Sequence, residues 1–176
     1  MTLAETWGTS SDERRLPFPC DPLIDAPEAA YYRGVTIEAA APTLFRWLCQ
    51  MRVAPYSYDW IDNGGRQSPG SLTPGLEQLA TGQTFMQIFD LVDFVTDQSL
   101  TLRTKRRGNA TSVFGDLAVS YMIVPLNPER CRLLVKLVVH YSPGLFGAAM
   151  RVILPWGDLL MMRRQLLNLK ALAEGA

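Results

Sequence analysis

The C-terminal segment GDLLMMRRQLLNLKALAE constrains this chain most. It sets Leu159, Met162, Leu166, Leu169 and Ala173 at alternating spacings of three and four, with Arg163, Arg164 and Lys170 off that line. This is the apolar stripe of an amphipathic helix about four turns long. A helix of this kind must bury its stripe, and what precedes it is a dense run of strand-like segments. Period-two alternation covers Tyr31 to Ala39 and Ser112 to Val124, and Cys131 to Tyr141 places Leu133, Val135, Leu137 and Val139 inward. Shorter strands are predicted over Gln83 to Phe89, Leu91 to Thr96 and Leu100 to Lys105. The expected fold is α+β: a curved antiparallel sheet wrapped around the long C-terminal helix, with one or two short helices after the first strand.

Local signals fill in the rest. Ala41-Pro42-Thr43 opens a short helix whose buried stripe is Leu44, Trp47 and Leu48. The segment APYSYDWI reads as extended, with Tyr56, Tyr58 and Trp60 on one face, and Asp62-Asn63-Gly64-Gly65 as a turn. Gly108-Asn109 reads as a hairpin turn with Arg106 and Arg107 at its solvated end. Pro143-Gly144 ends the last strand. Gly144 to Leu154 reads as a short helix that Pro155 breaks or kinks, and Asp158 as the cap of the final helix. Residues 1–28 form an extended, Pro-rich arm, with Phe18, Leu23 and Ile24 as possible tacks onto a domain spanning residues 29–176.

Seventeen basic and 17 acidic residues balance, which gives no general attraction to nucleic acid or to an anionic membrane. No apolar run approaches the ~20 residues of a membrane span, and Met1 to Arg15 lacks the order of a signal peptide. The expected location is cytoplasmic. Cys20, Cys49 and Cys131 are widely spaced and suit neither a disulfide framework nor a zinc site. No metal and no cofactor is expected.

A strongly bent sheet around one helix leaves a space that side chains need not fill, the usual form of a small-molecule site. Its candidate lining is Phe85, Phe94, Tyr121, Leu137, Met162 and Leu166, with Tyr56, Tyr58, Asp59 and Trp60 at the rim. Aromatic faces there would stack a flat ligand while Asp59 or a phenol orients it. Arg33 falls on the inward face of the first strand. There it needs a partner, Asp93 or a residue near Glu38, or binds a ligand carboxylate; at the exposed strand end it needs neither. His140, the one histidine, shares parity with Arg132 and Lys136 and points outward.

The element order, with TIEAAAPTLFRWL after the first strand and GDLLMMRRQLLNLKALAE at the end, resembles the START-like (SRPBCC) superfamily over about residues 29–174. APYSYDWIDNGG and the MMRRQLL helix look like one bacterial branch of it. The resemblance implies the helix-grip fold and a hydrophobic cavity between sheet and C-terminal helix. The superfamily includes lipid carriers, hormone receptors, cyclases and oxygenase subunits, so the fold does not choose among functions. The iron set of the oxygenase subunits needs two histidines, and this chain has one.

The expectation is therefore a protein that binds or transports a hydrophobic small molecule: a lipid, a polyketide or an aromatic metabolite. Two alternatives stand beside it. One is a polyketide cyclase/dehydrase-type enzyme, in which Asp59 or a tyrosine moves a proton. The other is an interaction domain with a vestigial cavity, in which Gly144 to Leu154 and the arm form a homodimer or partner surface.

Overall fold

A computed structural model describes residues 1–105 and 115–176. The hairpin turn expected at Gly108-Asn109, with Arg106 and Arg107, lies outside the described residues. The elements are α1 (Leu3–Thr6), β1 (Ala29–Ile37), α2 (Ala41–Cys49), α3 (Asp59–Asp62), β2 (Thr84–Phe85), β3 (Phe89–Val95), β4 (Ser99–Thr104), β5 (Asp116–Asn127), β6 (Arg130–His140) and α4 (Gly144–Glu174). The strands form one antiparallel sheet in the order β1-β6-β5-β4-β3-β2. This is the helix-grip α+β architecture, with α2 and α3 after the first strand and α4 closing the inner face.

Strand parity sorts the side chains as the alternation requires. On the inner face Tyr31, Ile37, Leu133, Val135, Leu137 and Val139 join the main core with Leu166, Leu169 and Ala173 of α4. Leu44, Trp47 and Leu48 of α2 join the same core. The outer face is apolar too, at Tyr32, Ala118, Leu134 and Val138, because the N-terminal residues cover it with Phe18, Cys20 and Ile24. Lys136 fastens that cover. Its ammonium lies 2.5 Å from Asp21 and over the rings of Phe18 and Tyr32, at 5.5 and 5.2 Å. One helical turn, α1, and 3-10 turns at Glu13–Arg15 and Asp21–Leu23 interrupt this segment.

Gly8 lets the segment touch the sheet. Its φ is +74°, and a Cβ there would stand 2.1 Å from the Gly34 carbonyl oxygen of β1. The Gly34 amide meanwhile donates to the Trp7 carbonyl at 3.1 Å. Gly8→Ala is expected to cost about 1–3 kcal/mol, through strain and through separation of the two backbones. Chemical denaturation measures this, and a loss within experimental error would show that the contact does not hold the N-terminal segment in place.

Three local expectations are corrected. Residues Gln83 to Phe89 hold only the two-residue β2, because Met86 and Gln87 take positive φ (45° and 64°) and turn the chain into β3. The segment around Tyr56 is not extended: Tyr56 has φ +57°, and α3 begins three residues later. Tyr56 is therefore buried while Trp60 is 76% exposed, so the two do not share a face. Helix α4 runs through Pro155 as one 31-residue element. Pro155 forfeits one backbone hydrogen bond, but Met150 and Leu159 are buried on either side of it and Asp158 is tied to the sheet. By length and composition alone α4 could cross a membrane, with a mean hydropathy of 1.4 over an 18-residue window. Its C-terminal half is instead the helix that the sheet grips.

Candidate functional site

Between the inner face of the sheet and the N-terminal half of α4 lies an open cavity of about 510 Å³. Leu117, Val119 and Tyr121 of β5, Leu137 of β6 and Phe89 of β3 form its floor. Met150, Leu154, Met161 and Met162 of α4 roof it, and Met86 and Ile88 close one side. These are mostly aliphatic and thioether groups, a surface that adapts to ligand shape. A second depression, about 430 Å³ at Glu38, Thr43, Asn127 and Glu174, is shallower and more polar.

A few polar groups enter the apolar cavity. The Tyr121 hydroxyl donates to Gln165 Oε1 at 2.8 Å, and the Gln165 amide donates to the Pro55 carbonyl at 2.6 Å. Gln165 thereby ties α4 to the segment before α3. Burial raises the Tyr121 phenol well above its ordinary range, so it remains a neutral donor. Asp158 also lines the cavity and receives Arg33 Nη2 on its Oδ2 at 2.5 Å. Burial pushes the Asp158 carboxyl up to about 6, although Arg33 opposes the shift. Across the cavity Asp62 accepts from the Ser57 hydroxyl through Oδ2, while its buried Oδ1 has no partner among the described residues. Burial raises this carboxyl as well, against the hydrogen bond from Ser57.

Arg33 is fully buried behind Asp158 and does not line the cavity. Its partners are Asp158, the Tyr32 carbonyl (2.9 Å) and the Ala4 carbonyl (2.8 Å), not Asp93 or a group near Glu38. The reason is tertiary: α4 crosses β1 and brings Asp158 over the inward parity of Arg33. For the same reason Asp158 is an interior helix residue and not a cap.

Of the sequence-derived lining, Tyr121, Leu137 and Met162 lie on the cavity surface. Phe85 and Leu166 are wholly buried in the core beneath it, and Phe94 packs half-buried against that core. Tyr56 is core as well, edge-on to Trp47 at 6.2 Å. Tyr58 lies under the Arg164 guanidinium at 5.9 Å. Asp59 accepts both the Ser68 amide (2.9 Å) and the Ser68 hydroxyl (2.5 Å), a loop-closing role away from the cavity. Trp60 is on the surface beside the cavity, not in its wall.

His140 is exposed, 3.3 Å from the Ala26 carbonyl. The three cysteines are buried free thiols. Sequence reasoning missed Asp158, Gln165 and Asp62. Gln165 stands one residue before the apolar Leu166 and Asp158 one before Leu159. A polar residue next to a buried stripe was the available signal.

The fold is the helix-grip α+β fold, with an apolar cavity between the sheet and the long C-terminal helix. No family model matches the chain, and no curated protein matches it in sequence. Solved structures do. The chain is similar to protein MLL2253 of Mesorhizobium loti (TM-score 0.52, 13% identity, covering 84% of this chain and 98% of that one). It is similar to protein CV1439 of Chromobacterium violaceum (0.53, 12%, 82% and 96%). It also resembles the di-domain ARO/CYC StfQ of the steffimycin biosynthetic pathway (0.52, 12%), covering 83% of this chain and 50% of that one. At these identities the likeness is one of fold.

Proposed function

We propose that this protein binds a hydrophobic small molecule in the cavity beneath α4, as a carrier or receptor for a lipid, a polyketide or an aromatic metabolite. The supporting observation is the cavity itself: about 510 Å³, apolar-walled, with a few polar groups gathered at Tyr121, Gln165 and Asp158. Burial of ligand surface would supply most of the affinity, at about 25 cal/mol per Å² before ordering costs. Tyr121, whose one proton goes to Gln165, would accept from a ligand hydroxyl or amine through its phenol oxygen, and so would Asp62 Oδ1, which has no partner among the described residues.

The test is titration of the full chain with N-phenyl-1-naphthylamine, an uncharged apolar fluorophore, alongside Val119→Trp, which fills the cavity floor. Wild type should bind saturably with one site, and Val119→Trp should weaken binding by about tenfold or more while retaining the wild-type circular dichroism. Equal binding by both proteins, or none by wild type, would sink the reading.

A second reading, an enzyme of the cyclase type, is favoured by one group only. Asp158 is an acid in the cavity whose carboxyl sits near 6, where proton transfer near neutral pH is efficient. Asp59, engaged with Ser68, does not serve that role. Turnover of a poly-β-ketone that Asp158→Asn abolishes, with probe affinity kept, would favour this reading over simple binding.

A further inference from the structure

The N-terminal half of α4 turns a broad apolar arc outward. Leu145, Val152, Trp156 and Leu160 recur at helical spacing, with Phe146 and Ile153 beside them, and all are exposed, Leu145 at 93% and Val152 at 70%. Within the most apolar 18-residue window of the helix only 22% is buried. This is the reverse of a core helix, whose apolar side faces in. The arc is continuous with the cavity mouth. Ile153 of α4 and Ile61 of α3 both line the cavity and are both more than half exposed, and Trp60 stands next to Ile61.

Arg151 within the arc is paired with Glu28, and Asp59 and Asp62, which flank Trp60 and Ile61, are engaged by Ser68 and Ser57; the charges that α4 leaves unpaired beside the arc are basic. Toward the C-terminus the same face of the helix continues into Arg163 and Arg164, both exposed and without an ion-pair partner among the described residues. The Arg163 guanidinium lies over the Trp7 ring at 5.6 Å and that of Arg164 over the Tyr58 ring at 5.9 Å. The acids of α4 are Asp158, buried on Arg33, and Glu174 at the far end. A balanced net charge for the whole chain thus conceals a local pattern. Apolar and tryptophan side chains with cations at the margin are the makeup of a helix that lies in a membrane interface.

We propose that this face of α4, with Trp60 and Ile61, docks on the surface of an anionic lipid bilayer and places the cavity mouth against it. A bilayer is preferred to a second copy of the chain because the mouth lies within the apolar face. A protein cover there would close the cavity, whereas a fluid acyl layer leaves it open and is itself a reservoir for apolar ligands. The docking rests on the proposed ligand-binding role only in that choice of occupant.

The test is co-sedimentation of the full chain with vesicles of phosphatidylcholine containing about a third phosphatidylglycerol, compared with vesicles of phosphatidylcholine alone. Wild type should partition onto the anionic vesicles with a blue shift of tryptophan emission, and about tenfold more weakly onto neutral ones. The variant Leu145→Ser/Val152→Ser/Trp156→Ser, changed at exposed sites, should lose vesicle binding by about tenfold or more. Unchanged N-phenyl-1-naphthylamine binding by that variant would show an intact fold and cavity, and would separate failure of docking from failure of the ligand-binding reading. No partition by wild type, or equal partition by the variant, overturns the proposal. So does a concentration-dependent dimer that the same variant abolishes in the absence of any vesicle binding.

Discussion

Arg33→Met is expected to lower the free energy of unfolding by about 3–5 kcal/mol, the usual cost of removing one partner from a buried ion pair. Three bonds go at once: those to Asp158, to the Tyr32 carbonyl and to the Ala4 carbonyl. The last ties the N-terminal segment to the sheet, and the first ties α4 to β1 three residues beyond Pro155. The loss should lie toward the lower figure, because Asp158, deprived of its cation, can take up a proton. Methionine replaces the arginine stem only as far as Nε, so the cost includes the space left by the buried guanidinium as well as the lost charge and hydrogen bonds. Urea denaturation with a two-state fit measures it. The double variant Arg33→Met/Asp158→Leu should recover most of the loss, since two apolar groups leave no buried charge unmet. A single-variant loss below about 1 kcal/mol would mean that the pair does not fasten the helix.

The second large effect is a pH dependence carried by Asp158. Its folded carboxyl, near 6, lies above the ordinary 3.8 of an unfolded chain. The folded protein therefore holds this proton more tightly than the unfolded one. By linkage, protonation stabilises the fold, and the contribution of this group rises as pH falls from about 6 to about 4. Its full extent is up to about 3 kcal/mol, since one pKa unit is worth about 1.4 kcal/mol. The sign is opposite to that of Glu13, whose carboxyl is held low by its hydrogen bond from Arg132 and which loses its stabilising effect as pH falls. Comparison with Asp158→Asn separates the two, because that variant keeps the glutamates and lacks the titration. Wild type should gain on Asp158→Asn between pH 6 and pH 4. Tyr31 and Tyr121, which also feel the Asp158 charge, are both raised by burial and stay neutral across this window. A stability difference that stays flat with pH would refute the assignment.

How much of this was legible beforehand follows from range. Strand parity and helix stripe are local. The inward Leu133, Val135, Leu137 and Val139 and the stripe residues Leu166, Leu169 and Ala173 were readable because each pattern repeats over a few residues and needs no partner to be recognised. Within the candidate site, Tyr121, Leu137 and Met162 were readable for the same reason. Tyr56 and Trp60 were misplaced because left-handed backbone at Tyr56 and the turn of α3 broke the assumed alternation. Nothing in the residue types at those positions demanded that conformation.

The sequence by itself determined the layered α+β plan and the identity of the gripping helix, since both follow from periodic burial along single segments. Only the tertiary structure decided that Pro155 is carried inside one helix, that Arg33 faces Asp158 across 125 residues of chain, and that the cavity opens beneath an exposed apolar arc. The physical reason is common to all three. Each depends on how α4 crosses the sheet, and a crossing is set by the packing of distant side chains, which no local period encodes.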